Sequence, residues 1–144
     1  MKTKIDWYAD TSGMVVGPRV HDSGLTEFAY SATGVLSLAM RRVSGDSVSL
    51  ELLGVTELSV VELRNGAIIS EIFIWNVGAI PDSAWAIPDS PWNLLFSRLL
   101  KPDEAKRAAA RIIKESPNSF IVSVLSSYGG ALAAICDVAA FYEQ

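Results

Sequence analysis

The stretch Val60–Trp75, VVELRNGAIISEIFIW, decides the fold predicted for this chain. At its centre Asn65-Gly66 supplies the positive φ angles that a two-residue type I′ turn needs, and β-branched runs flank the pair on both sides. The sequence therefore predicts a hairpin turned at these two residues. Its expected register places Arg64 opposite Ala67, Leu63 opposite Ile68 and Val61 opposite Ser70.

Both faces of this hairpin are predicted to be largely apolar. One face would carry Val61, Leu63, Ile68, Ile72 and Ile74, and the other Leu58, Val60, Ile69, Phe73 and Trp75. Helices that follow in the chain can cover one face. The other face needs a second layer, the N-terminal segment or another copy of the protein, and we infer a homodimer from this requirement.

Alternating apolar and polar residues predict further strands on both sides of the hairpin. The alternation is clear at 35–42 and 47–52 and returns at 120–127. The segment 131–142 is rich in alanine and would also suit a helix, but the preceding Gly129-Gly130 and its own alternation favour a strand. We therefore expect a C-terminal hairpin.

Two helices are expected between the central strands and this C-terminal hairpin. The first spans about 91–100, with Ser90 as N-cap and Pro91 at the first helical position. The second spans about 102–115, where apolar residues recur at three- and four-residue spacing. Together the elements predict one α+β domain, 1–144, with a meander-rich antiparallel sheet of about seven to nine strands packed on one or two helices.

Composition and charge exclude several classes of function. The net charge is −4, and the basic residues of 101–114 are interleaved with acidic ones, so no nucleic-acid partner is expected. The longest uncharged stretch, 116–136, is interrupted by proline, serine and glycine, so no membrane span is expected. The first residues lack the apolar core of a secretory signal, and we expect a cytoplasmic protein.

The residues that usually carry catalysis or bind metals are scarce. The chain has one cysteine, Cys136, and one histidine, His21, which rules out a zinc site of two cysteines and two histidines. Phosphate-loop, dinucleotide-binding, HExxH and GxSxG motifs do not occur in the sequence. We therefore expect no catalytic residues, no metal and no cofactor, and a non-enzymatic protein.

An internal repeat lies between Ala79 and Trp92, where Ala-Ile-Pro-Asp-Ser-Ala-Trp is followed by Ala-Ile-Pro-Asp-Ser-Pro-Trp. Two units are too few for a stacked repeat architecture. The first interpretation is a loop that Trp85 and Trp92 pin to the domain. The alternative is an exposed aromatic loop that contacts a partner, because tryptophan is enriched at the centres of interfaces.

Several short stretches give the chain a resemblance to small uncharacterised bacterial proteins. These stretches are His21-Asp22-Ser23, Leu53-Gly54-Val55, Asn65-Gly66-Ala67-Ile68-Ile69, Ser127-Tyr128-Gly129 and Cys136. Some of the proteins that the chain resembles look like immunity proteins of toxin–antitoxin-type competition systems. The resemblance implies an α+β fold and a protein-binding role, and it supplies no catalytic residues.

The leading hypothesis is a non-enzymatic, immunity-like domain that binds a protein partner through the second sheet face or the tryptophan loop. The alternative is a small-molecule protein, either a binder of apolar ligands or an enzyme, with a pocket between sheet and helices. The candidate partner-binding residues are Trp85, Trp92, Trp75 and Phe73. The candidate pocket residues are Tyr30, Met40, Trp75 and Phe96.

Overall fold

The alternating segments of the sequence form a curled antiparallel sheet with helices on one outer face. The computed structural model describes residues 2–64, 66–82, 84, 91–96, 101–128 and 130–144. The strands are β1 (Thr3–Ile5), β2 (Tyr8–Ala9), β3 (Val15–Gly17), β4 (Ser23–Ser31), β5 (Val35–Arg41), β6 (Ser47–Leu53), β7 (Glu57–Val61), β8 (Ile68–Asn76), β9 (Phe120–Ser126), β10 (Ala131–Cys136) and β11 (Val138–Glu143). The helices are α1 (Pro91–Phe96) and α2 (Pro102–Glu115).

The main sheet has the strand order β1-β11-β6-β5-β4-β8-β9-β10-β7, and β2 pairs with β3 separately. It contains two meanders, β4-β5-β6 and β8-β9-β10, so the predicted α+β class with a meander-rich antiparallel sheet is confirmed. The second helix and the C-terminal hairpin of β9 and β10 are confirmed as well. The first helix is confirmed over 91–96, and its predicted remainder, 97–100, lies outside the described residues.

Two long, bent segments carry the sheet around a corner. β6 continues into β7 and β10 continues into β11, and the two segments pair on both sides of the bend, with Leu53 opposite Val138 and Glu57 opposite Ile135. At the bend, the Asp137 N–H donates to the Leu53 carbonyl at 2.9 Å. Both segments therefore pass from one half of the sheet to the other, and the sheet folds back over its own inner face.

The inner faces of the two halves share one apolar core. Side chains from β5, β6 and β11 in one half join those from β8, β9 and β10 in the other. The core also takes in Val15 and Val20 from the N-terminal segment. Its strand residues include Leu36, Leu38, Met40, Leu50, Leu52, Ile72, Ile74, Val122, Val124, Leu132 and Phe141.

A second apolar cluster lies between the helices and the outer face of β8, β9 and β10. In it, Ala105 and Ala109 of α2 and Trp92 of α1 are buried with strand residues such as Ile121 and Ile135. Because alanine side chains are small, α2 can approach the sheet closely. The fold therefore has three layers, which are the helices and the two halves of the sheet.

The hairpin predicted around Asn65-Gly66 is wrong in its pairing. β7 pairs with β10, and β8 pairs with β4 and β9, so Leu63 and Val61 do not face Ile68 and Ser70. A turn does form, because the Ala67 N–H donates to the Arg64 carbonyl at 3.0 Å. Asn65 itself lies outside the described residues.

The reason for the different pairing is competition for one edge of β8. β7 ends at Val61, and Glu62, at a φ of 51°, turns the chain away from the strand direction. The Leu25 N–H then donates to the Ala67 carbonyl at 2.8 Å, and the Gly66 N–H donates to the Leu25 carbonyl at 3.1 Å. β4 thus occupies the edge of β8 that the predicted hairpin assigned to β7.

The predicted division of the two faces is also wrong at Ile69 and at Leu58 and Val60, whose partners Ala134 and Leu132 belong to the inner core. A β-bulge between Ile69 and Glu71 shifts the alternation by one residue, so Ile69 joins Ile72 and Ile74 in the inner core. The inner face is covered by the opposite half of the same sheet and the outer face by the helices. The apolar face that suggested a homodimer is therefore covered within one chain.

Candidate functional site

The aromatic residues predicted to contact a partner lie mainly in the helix-covered cluster. Trp92 is 1% exposed, Trp75 and Phe73 are also buried, and the rings of Phe73 and Trp75 stack with centroids 5.1 Å apart. The Trp75 indole N–H donates to the Ser12 carbonyl at 2.8 Å, so its polar atom is satisfied internally. These three side chains offer little surface to a partner, and Trp85 lies outside the described residues.

The four residues predicted to line an apolar pocket are not brought together. Met40 is in the inner core, Trp75 is in the helix-side cluster, and Tyr30 is half exposed on β4. Phe96 alone of the four lines a groove between the helices and the sheet. That groove has a volume of about 340 Å³ and is lined by Thr56, Glu57, Leu95, Phe96, Ala108, Arg111, Ile112, Glu115, Ser116, Ser119 and Ile135.

A different candidate site arises where the curled sheet fails to close. β4 pairs with β8 only at Ser23 and Gly24, and beyond Leu25 it has β5 as its sole strand neighbour among the described residues. β7 is the last strand of the sheet order, and in the described part of the chain its sole strand partner is β10. Each strand therefore presents one unpaired edge.

Hydrogen bonds join the two edges at both ends. At one end the Val55 N–H donates to the Gly34 carbonyl at 2.9 Å. At the other end Leu25 is bonded to Gly66 and Ala67. Between these points β4 and β7 run in opposite directions, and no ladder connects them in the described part of the chain. We call this gap, bordered by 26–31 of β4 and by β7, the β4/β7 opening.

Side chains of the inner face are accessible at the β4/β7 opening. Phe28 and Tyr30 lie directly opposite the fully buried Leu38 and Leu36 and so share their face, yet they are 41% and 47% exposed. On the other border Val60 lies opposite the fully buried Leu132 and is 41% exposed. The core-facing row of apolar side chains thus reaches solvent along both borders.

Carboxylates border the same opening. Glu27 on β4 and Glu57 on β7 occupy the opposite, outward-facing alternation, and Glu62 follows directly after β7. All three are exposed. Arg64 is the cation in the turn beyond β7, and none of these four residues forms an ion pair with another described residue. The opening therefore combines an apolar inner row with an acidic outer border.

Sequence reasoning missed this site because its defining feature is a missing neighbour. The loose alternation of Leu25, Phe28 and Tyr30 predicts a strand with a buried face, and nothing local indicates that the neighbouring strand ends early. A β-bulge at Thr26, between the paired residues Leu25 and Glu27, marks the point where β4 no longer has β8 as a neighbour.

His21 does not assemble a Ser-His-Asp site with its neighbours. Its Nδ1 lies 2.6 Å from the Ser70 carbonyl, which can only accept, so Nδ1 carries a proton. Its Nε2 is 3.5 Å from a carboxylate oxygen of Asp22, and both side chains are exposed. The Ser23 hydroxyl is buried and has no hydrogen-bond partner among the residues that the structure describes, so His21 does not activate it.

Cys136 is the chain's single cysteine, and its surroundings do not favour a reactive thiol. It is buried in the inner core, and burial, followed by the nearby Asp137 carboxylate, raises the pKa of its thiol to about 12. The thiol is therefore protonated near neutral pH and out of reach of a substrate. Within the described ranges, no group of three or more histidine, cysteine or acidic residues is placed to hold a metal ion.

Comparison with protein-family models, with curated proteins and with solved structures found no match to this chain. Neither helix that the structure describes has the length and apolar character needed to cross a membrane.

Proposed function

We propose that this chain is a non-enzymatic protein-binding domain that takes up an extended segment of a partner along the free edge of β7. The observation that carries the proposal is the partial exposure of Phe28, Tyr30 and Val60, three inner-face side chains that border the β4/β7 opening. A strand added beside β7 would bond to its unpaired backbone groups and cover these side chains. Natural sheets usually protect such edges unless a partner uses them.

The resemblance to immunity-like bacterial proteins suggests a particular setting for this activity. An immunity protein acts by binding a toxin, which requires a contact surface and no reaction centre. We propose such a partner, in the cytoplasm of a bacterium, as the specific form of the protein-binding function. The covered inner and outer sheet faces remove the reason for a homodimer built on those faces.

A displayed library of linear peptides tests the proposal without a known partner. Peptides enriched on the wild-type protein should slow hydrogen exchange of β7 amides, because a bound strand protects the edge that it pairs with. Val60→Asn should weaken these peptides by about tenfold, which corresponds to about 1.4 kcal/mol.

Val43→Asn is the matched control, because Val43 is an exposed valine outside the strands and should leave binding unchanged. Enriched peptides that protect residues elsewhere, or that bind Val60→Asn as well as the wild type, would contradict the proposal.

The groove between the helices and the sheet favours a second candidate function, binding of a small apolar ligand. Its volume of about 340 Å³ lies within the usual range of ligand sites, and Leu95, Phe96 and Ile112 give it an apolar wall. Ala108→Trp should fill the groove and abolish any rise in Tm produced by medium-chain fatty acids. Ala110→Trp, on the exposed side of α2, is the control, and equal Tm shifts in both variants would exclude the groove as the binding site.

A further inference from the structure

We infer that the segment bound at the β4/β7 opening is basic, with apolar side chains facing inward and lysine or arginine facing outward. The inference rests on the proposed function, since it names the chemistry of the partner at the same site. It follows from the difference between two rows of side chains that border the opening: the inward row, which faces the core, is apolar, and the outward row is acidic.

The inward row specifies the apolar positions of the partner. A strand beside β7 would place alternate side chains next to Leu58 and Val60, whose partners on β10 are the buried Ala134 and Leu132. Across the opening, the same side chains would meet the half-exposed rings of Phe28 and Tyr30. A polar residue at these positions would lose its water without gaining a hydrogen-bond partner.

The outward row specifies the charge of the partner. The intervening side chains would lie near Glu57 on one border and on the side of the sheet that also carries Glu27 on the other. Opposite charges on neighbouring strands attract and like charges repel, so lysine or arginine is favoured at these positions.

Within the described ranges, the cations near these carboxylates form no ion pair with them. Lys2 is paired with Glu51, and the hydrogen bond to Glu51 is the main cause that raises the Lys2 pKa. Arg111 lines the adjoining groove together with two carboxylates, Glu57 and Glu115, and forms an ion pair with neither of them. Among the residues that the structure describes, Arg64 lies in the turn beyond β7, and Glu27, Glu57 and Glu62 outnumber it, so this described part of the opening carries an excess of negative charge.

This excess of negative charge disfavours a second copy of the chain as the occupant. An antiparallel pair of β7 strands from two copies would bring two sets of these three carboxylates to one interface. Each copy also carries a net charge of −4, which adds repulsion at long range. A basic segment from a different protein avoids both costs.

Three synthetic peptides of equal length, with valine alternating with lysine, glutamine or glutamate, test the inference by fluorescence anisotropy. The valine–lysine peptide should bind at least about tenfold more tightly than the valine–glutamate peptide, and added salt should reduce the difference. Glu57→Gln and Glu27→Gln should each weaken the valine–lysine peptide by about 1.5- to fivefold. Asp6→Asn, which removes an exposed carboxylate outside the opening, should not change its affinity.

The outcomes separate this inference from the proposed function. If the three peptides bind equally and only Val60→Asn weakens them, the opening binds strands but the charge inference is wrong. If Asp6→Asn weakens the valine–lysine peptide as much as Glu57→Gln does, the attraction belongs to the whole molecule and the inference is also wrong. If none of the peptides binds, or if all bind Val60→Asn as well as wild type, both the inference and the proposed function are contradicted.

Discussion

The two edges of the main sheet are built differently. β1 has three residues, and Lys2 and Lys4 lie beside and within it. Lys2 is anchored by an ion pair with Glu51 and sits 5.0 Å from the centre of the Tyr142 ring. Short length and lysine side chains are the usual means by which proteins block pairing at a sheet edge. This edge is therefore protected against another strand.

The β7 edge lacks both protections. It is five residues long, contains no lysine, and exposes Val60 and Val61 next to the β4/β7 opening. Its acidic neighbours would repel acidic strands and attract basic ones. The contrast teaches that the β1 edge carries the usual protections against strand pairing, whereas the β7 edge lacks them.

The largest expected effect is a difference in the free energy of unfolding between two inner-face substitutions, one in the buried core and one at the β4/β7 opening. Phe141, on the strand next to β1, is fully buried, so Phe141→Ala should reduce the free energy of unfolding by about 3–5 kcal/mol. Val60→Ala, at the opening, should cost less than about 1 kcal/mol because solvent already reaches that side chain. Urea denaturation measures both values, and similar losses for the two variants would show that the β7 edge is packed as tightly as the core.

A smaller effect is expected at the bend that joins the two halves of the sheet. Gly54 has a φ of 65°, and a Cβ there would lie 2.2 Å from a carboxylate oxygen of Asp137. Gly54→Ala should therefore cost about 1–3 kcal/mol. Gly45 has a φ of 93° with open space around it, so Gly45→Ala introduces backbone strain but no steric clash. It should therefore reduce the free energy of unfolding by less than Gly54→Ala does in the same denaturation experiment. Equal losses would mean that the bend can open to admit the methyl group.

The last effect is absent near neutral pH and appears only under alkaline conditions; it comes from Cys136, which lies at the same bend. Burial raises the pKa of its thiol from 9.0 to about 12, so the folded state binds this proton more tightly than the unfolded state. The resulting stability is fully present below pH 9 and is lost as the pH rises toward 12. The difference in unfolding free energy between wild type and Cys136→Ala should therefore shift against the wild type over this interval. A constant difference would show that the thiol is more accessible than its burial indicates.

The sequence predicted those parts of the fold that depend on local pattern. α2 follows from the spacing of its alanines and isoleucines, and the hairpin of β9 and β10 follows from alternation on both sides of Gly129-Gly130. Asn65-Gly66 likewise indicated the turn, which the hydrogen bond from Ala67 to Arg64 confirms. In each case the deciding interactions lie within a few residues of one another.

Strand pairing between distant segments could not be predicted in the same way. β8 takes β4 as its neighbour and β7 takes β10, and alternation alone does not choose among strands of similar character. The site was missed for the same reason, because the exposure of Phe28 depends on where β8 begins. The presence of tryptophan did not identify an exposed contact surface, since Trp75 and Trp92 are buried between the helices and the sheet.

The bent pairing of β6–β7 with β10–β11 has a consequence for the kinetics of folding. Leu53 must pair with Val138, and Glu57 with Ile135, before the strands of either half of the sheet have all their partners. Closing such a large loop costs conformational entropy, and the strand contacts that offset this cost form only afterwards. Refolding on the scale of about milliseconds to seconds is therefore expected. The two halves of the sheet are therefore expected to reach their native state together, and only after these two segments have paired.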